Sequence, residues 1–134
     1  MKELNELNLP SSVRYHDDHE WVSVSAPYRL GISDFAQDAL GDLTFVEMPE
    51  VGTRLTRGEE FGTLESTKSV SPLLSPVNGT VKAVNEELND NPGLVNSDPY
   101  GAGWIIEIEM NPGELDGLMD AAAYKAHLES EGGH

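Results

Sequence analysis

No cysteine occurs in the 134 residues, so neither a disulfide framework nor a thiol active site is available to the chain. Basic residues are scarce: 8 Lys and Arg stand against 24 Asp and Glu, for a formal net charge of -16. That balance repels nucleic-acid phosphates and anionic lipid, and no nucleic-acid or membrane partner is expected. Long apolar runs are missing too, since no stretch approaches the ~20 residues that a membrane-spanning helix requires. Met1 to Ser12 has neither the continuous apolar region of a signal peptide nor the Arg-rich, acid-poor pattern of a transit peptide. A cytoplasmic protein is expected, a monomer with one core, beginning with a frayed segment over residues 1–14.

What is present is a succession of short strand-like segments separated by Gly and Pro turns. Trp21 opens an alternating segment that Ala26-Pro27 turns back through Tyr28 to Ile32, giving a first hairpin. Ser33 or Asp34 can cap a short helix, Phe35 to Leu40, ended by Gly41 in a left-handed position. Leu43 to Met48 is strand-like, and Val51-Gly52 and Arg57-Gly58 mark turns around another short strand. Gly79 to Asn85 alternates again, and Glu86 to Gly93 reads as a helical turn and a loop. In Trp104 to Met110 the even positions form one face, whereas Ile105, Glu107 and Glu109 form a mostly solvated one. Asp120 caps a final helix, Ala121 to Leu128, followed by a flexible tail over 129–134. The pattern is mainly β, a small barrel or sandwich with peripheral helices.

Within that frame Lys68 stands alone among small hydroxyl residues, between the apolar runs Phe61 to Leu64 and Val70 to Leu74. Those runs read as two strands with the lysine at the hairpin tip, which offers one amine for covalent modification. A solvated turn lysine is the plain alternative. Glu65 three residues before it, Gly79 eleven after it, and Pro76 closing the hairpin match the pattern of a lipoyl-attachment domain.

Around the lysine, Glu65-Ser66-Thr67-Lys68, Ser75-Pro76 and Gly79 resemble the H-protein family of the glycine cleavage system. The resemblance extends to His19-Glu20-Trp21-Val22, Gly31 to Gln37, Leu40-Gly41-Asp42, Val46 to Gly52, Leu94 to Gly101 with Gly103-Trp104, and Leu118 to Ala121 with Tyr124. It covers roughly Tyr15 to Leu128, so residues 15–128 are expected to form the carrier domain, C-terminal helix included. The resemblance implies a flattened hybrid barrel-sandwich of the lipoyl/biotinyl type, with lipoic acid in amide linkage to Lys68. It further implies Glu65 and Gly79 as features read by a lipoate ligase or a lipoyl/octanoyl transferase. Glu20 would lie in the cleft that receives the loaded arm.

On the same resemblance the protein is a carrier and not an enzyme. It would take the aminomethyl group of glycine from the pyridoxal-dependent glycine decarboxylase (P protein) to the aminomethyltransferase (T protein). Its dithiol would then go to dihydrolipoyl dehydrogenase (L protein). Biotin fits less well, because biotin carriers usually place Met on both sides of the lysine and Thr67 and Ser69 stand there. One departure concerns docking: family members usually have Asp four residues after the lysine, and here that position is Pro72. A lipoyl relay for other lipoate-dependent systems and an unmodified interaction barrel are the rival readings. His16 to Glu20 offers imidazole and carboxylate groups, but the spacing matches no closed zinc site and no metal is expected. Gly101-Ala102-Gly103 precedes a strand instead of a helix, which excludes a phosphate site there.

Overall fold

The structure, a computed structural model, describes residues 3–131. Nine strands occur among the described residues, and they divide into two sheets. The larger sheet is antiparallel. Its strands β1 (Val13–Tyr15), β2 (Glu20–Ser23), β3 (Tyr28–Ile32), β9 (Ile106–Glu109), β8 (Gly79–Val84) and β5 (Arg54–Leu55) lie in that spatial order. The smaller sheet places β6 (Glu60–Ser66) between β4 (Leu43–Glu47) and β7 (Val70–Leu74). Their inward residues, including Val22, Leu30, Ile32, Val46, Leu64, Leu73, Val81 and Ile106, bury one continuous core.

Helix α1 (Asp34–Leu40) carries the chain from one sheet to the other. Ser33 Oγ accepts from Ala36 N at 3.2 Å and starts it, and Gly41, at φ +80°, ends it. Two further single-turn helices, α2 (Glu87–Asp90) and α3 (Leu94–Ser97), precede β9. Asn96 of α3 braces the end of α1: its Nδ2 donates to Gly41 O at 2.9 Å and Gln37 Oε1 at 3.0 Å, and its Oδ1 accepts from Leu43 N at 2.9 Å. A 3-10 turn over Pro112–Gly117 leads to α4 (Ala121–Ser130), where Asp120 Oδ1 accepts from Ala123 N at 2.8 Å.

A second apolar cluster fastens α4 to the larger sheet. Tyr15 and Tyr124 stack with ring centroids 4.4 Å apart, and Val13, Trp21 and Leu128 are buried beside them. The Trp21 indole N–H donates to Ile32 O at 3.0 Å and Pro99 O at 3.1 Å. Gly31 faces the same ring, and a Cβ there would stand 2.8 Å from it. Trp21 is therefore a core residue, whereas Trp104 is half-buried with the Arg29 guanidinium 4.5 Å from its ring centroid.

Several boundaries differ from the sequence reading. The sheet begins at Val13, inside the segment expected to be frayed, and Leu4, Leu7 and Leu9 pack against the second cluster. Tyr15 OH donates to Pro10 O at 2.8 Å and Asn8 N to Asp34 Oδ2 at 2.8 Å, so the described part of that segment is bonded to the body. Ile105 is fully buried, not solvated, because β9 starts one residue later and the strand alternation does not reach it. Pro76 lies past the end of β7, where the chain returns to the larger sheet, so it does not close the hairpin. Of the expected flexible tail, residues 129–131 continue or end α4, and Gly132, Gly133 and His134 lie outside the described residues.

Candidate functional site

The β6–β7 hairpin ends in a tight turn built by Ser66. Its backbone N–H donates to Ser69 O at 2.8 Å, and its hydroxyl accepts from Lys68 N and Ser69 N, each at 3.1 Å. Thr67 N donates to Asp42 O at 3.1 Å and pins the tip to the corner between α1 and β4. Lys68 is exposed on this fixed turn, as the sequence suggests. Its side chain lies over Gly41, where an added Cβ would come within 3.0 Å of Lys68 Cε and 3.6 Å of Nζ. Gly41 thus serves two purposes, a backbone conformation closed to most side chains and room for the lysine.

Leu40, the neighbour of Gly41, also lines a cavity of about 180 Å³ between α1 and the smaller sheet. Phe35, Ala36 and Leu64 give it apolar walls, and Ser71 and Pro72 of β7 lie along one side. Asp18, His19 and Glu20, from the turn entering β2, form its polar end. The turn brings them there through a left-handed residue, His19 at φ +76°.

Glu20 is only 3% exposed, and its Oε1 has no hydrogen-bond partner. His16 Nδ1 is 3.7 Å away, an ion-pair distance too long for a hydrogen bond. Burial raises the Glu20 carboxyl above its ordinary range, and the His16 imidazole opposes that rise. His16 is in turn raised, chiefly by Glu20 and further by Asp17 and Asp18, against its own burial. His19 shifts down because it is buried. Its Nδ1 pairs with Tyr124 OH at 2.7 Å, and that hydroxyl also meets Ser33 Oγ at 2.8 Å. Asp17 Oδ1 and Asp18 Oδ2 stand 3.1 and 3.4 Å from His16 Nδ1. Donor atoms of His16, Asp17 and Asp18 lie within 4.8 Å of one another, with His19 turned away toward α4.

Glu65 is exposed, paired with Phe45 on one side and Val70 on the other, one turn from Lys68. Gly79 lies elsewhere, in the larger sheet opposite Leu55, where a Cβ would stand 2.7 Å from Glu109 O. Close approach of β8 and β9 is therefore reason enough for that glycine. Lys68 and Glu65 share the hairpin, and Glu20 lies in the adjoining cavity with Pro72. The sequence reading weighed Asp18 only within a possible metal cluster and missed its place on the cavity, and it missed Asn96, which braces the corner under the hairpin. A polar turn gave no signal for the first, and a four-residue helix gave none for the second.

A family model described as "Glycine cleavage H-protein" matches residues 13–131. Among curated relatives, the chain is 51% identical over 125 residues to a "Glycine cleavage system H protein" of Myxococcus xanthus, covering 92% of this chain and 97% of that one. It is 51% identical over 124 residues to a protein of the same description from Micrococcus luteus, covering 90% and 97%. The fold is similar to a crystal structure of a glycine cleavage system H protein from Mycobacterium marinum, with a TM-score of 0.76 at 35% identity over 92% of this chain and 99% of that one.

Proposed function

The chain belongs to the glycine cleavage H-protein family, and from that premise we propose that Lys68 Nζ carries lipoic acid in amide linkage and that the protein is a carrier without an active site of its own. Its role is that of the lipoyl-bearing component of glycine cleavage. The observation that carries this assignment is the exposed Lys68 amine on a hairpin tip whose backbone is held from both sides.

The residues fit the group. The amine is accessible, the neighbouring cavity has apolar walls for an alkyl chain, and its far end holds a buried carboxylate oxygen with no hydrogen-bond donor. Attachment joins Nζ to the lipoyl carboxyl, delivered as an adenylate or a thioester; Nζ gives up a proton, and AMP or the carrier thiol leaves. When bound, the group supplies a dithiolane that takes up the aminomethyl unit and a dithiol that is later reoxidised.

This chain supplies position and charge. The Ser66 turn and the Thr67 to Asp42 bond keep the tip rigid, which confines motion to the arm. An amine cargo entering the cavity would meet Glu20, whose carboxylate could accept a charge-assisted hydrogen bond, with Asp18 beside it on the cavity wall. Phe35, Leu40 and Leu64 would exclude water around it. Glu65 and Gly79 complete the reading as features recognised by the attaching enzyme, a lipoate ligase or a lipoyl/octanoyl transferase.

No helix among the described residues is long and apolar enough to cross a membrane. The proposed setting is the cytoplasm, where a monomeric carrier visits glycine decarboxylase, the aminomethyltransferase and dihydrolipoyl dehydrogenase in turn. Tethering raises the effective concentration of the arm at each without demanding tight binding. Reconstitution with glycine decarboxylase tests the pathway: lipoylated protein should support glycine-dependent carbon dioxide exchange, and Lys68→Arg should not. A lipoylated protein inert in that exchange would contradict the assignment and favour a lipoyl relay.

A further inference from the structure

The outer face of the smaller sheet carries an exposed apolar pair that the core does not explain. Phe45 is 46% exposed and Val70 64% exposed. They are not scattered. Phe45 pairs with Glu65, and Glu65 pairs with Val70, so the three side chains form one row across β4, β6 and β7. Direct cross-strand partners project from the same face of a sheet. Lys68 follows Glu65 by three residues, which places the row at the base of the turn that presents the amine.

Phe45 is turned outward by a specific device. The register between β4 and β6 shifts between Leu43 and Phe45, so Thr44 is the inserted residue of a β-bulge. Leu43 and Val46 are buried on either side, whereas Thr44 and Phe45 are both exposed. Without the shift, regular alternation from Leu43 would send position 45 inward with the core. Bulges re-aim side chains in this way, and the Thr44 hydroxyl steadies this one by donating to Glu65 O at 3.2 Å. Acidic groups adjoin the apolar pair: Glu65 lies in the middle of the row, and Asp42 is exposed where the hairpin tip is pinned.

We propose that the Phe45–Glu65–Val70 row is the docking surface for the enzyme that attaches the lipoyl group to Lys68, a partner presenting an apolar patch with an Arg or Lys side chain for Glu65. The inference rests on Lys68 being the attachment site. Reach selects the occupant. An enzyme that acylates the lysine must bring its active site within one lysine side chain of the hairpin and so must touch the surface beside it. Enzymes that use the finished arm work a whole lipoyl chain farther out. The net charge of -16 complements a basic partner and would speed the encounter.

The test is steady-state kinetics of lipoyl attachment to the full chain by a purified lipoate ligase with ATP and lipoate, for wild type, Phe45→Ser, Val70→Thr and Glu65→Gln. Val51→Ser serves as a control, because Val51 is 62% exposed and lies on the turn after β4, outside the row. Each row substitution should lower kcat/KM about tenfold, mainly through KM, as expected for lost docking contacts. Val51→Ser should leave it unchanged. Unfolding midpoints confirm that each variant is folded. Once lipoylated by prolonged incubation, the row variants should be reduced by dihydrolipoyl dehydrogenase running in reverse with NADH as fast as wild type. Unaltered attachment kinetics would overturn the proposal, and so would a loss confined to the dehydrogenase step, which would give the face to another partner. A wild type that never accepts a lipoyl group removes the premise as well, whereas a modified wild type with unaffected variants sinks only the docking face.

Discussion

Glu20 and His16 form a pair in which each displaces the titration of the other. His16 has a folded-state pKa raised mainly by Glu20. Its pairing therefore contributes stability that is complete below the unfolded imidazole value of ~6.5 and is lost as pH rises through the folded value. The upward shift of Glu20, caused by burial, has the same sign. Glu20→Gln removes the largest cause, so the His16 ring resonances, followed by NMR across neutral pH, should titrate at lower pH in the variant. An unchanged midpoint would show that the pair is not coupled. At this scale the sequence was informative where a residue's position depends on its neighbours in the chain: the placement of Lys68 and Glu65 on one hairpin, and the change to Pro72, could be read directly. Asp18 could not, because only the turn that carries His19 at φ +76° brings it to the cavity.

The corner between α1 and β4 is the element on which the hairpin tip rests. Gly41, at φ +80° and ψ -167°, occupies a region open to few side chains. Gly41→Ala should destabilise the fold by about 1–3 kcal/mol, measured by urea unfolding. Asn96→Ala removes the hydrogen bonds to Gln37, Gly41 and Leu43 and should cost about 1–3 kcal/mol. Because both substitutions act on one corner, the double variant should lose less than the sum; strict additivity would mean that the two act independently. On α4, Tyr124→Phe takes a hydroxyl from both His19 and Ser33 and should also lower stability by about 1–3 kcal/mol.

Elements with local signals were legible in advance. Ser33 and Gly41 bracket α1, Asp120 starts α4, and the apolar runs either side of Lys68 are β6 and β7. Helix α3 left no trace because four residues are too few to show a helical period. The packed N-terminal segment was hidden for a different reason: Leu4, Leu7 and Leu9 join a cluster with Tyr124 and Leu128 of α4, at the other end of the chain.

For the whole molecule, the division of strands between two sheets depends on pairings such as β3 with β9 and β5 with β8. Local pattern carries no record of such distant partners, so it reached only a small barrel or sandwich, and the resemblance supplied the flattened hybrid form. Net charge acts at the same scale. With -16 on a single chain, self-repulsion opposes the compact state. Added sodium chloride should raise the Tm as it screens that repulsion, over the range in which the Debye length falls from ~30 Å to ~8 Å. A Tm that fell with salt over that range would mean that local ion pairs such as Arg57 with Glu114 outweigh the net repulsion.

All of these features bear on one claim, that the hairpin exists to offer Lys68 for modification. Intact-mass spectrometry after co-expression with a lipoate ligase, in lipoate-supplied medium, tests it most directly. The wild type should gain the mass of one amide-linked lipoyl group, and Lys68→Arg should gain nothing. An unmodified wild type, or a Lys68→Arg variant that still gains the group, would contradict the account.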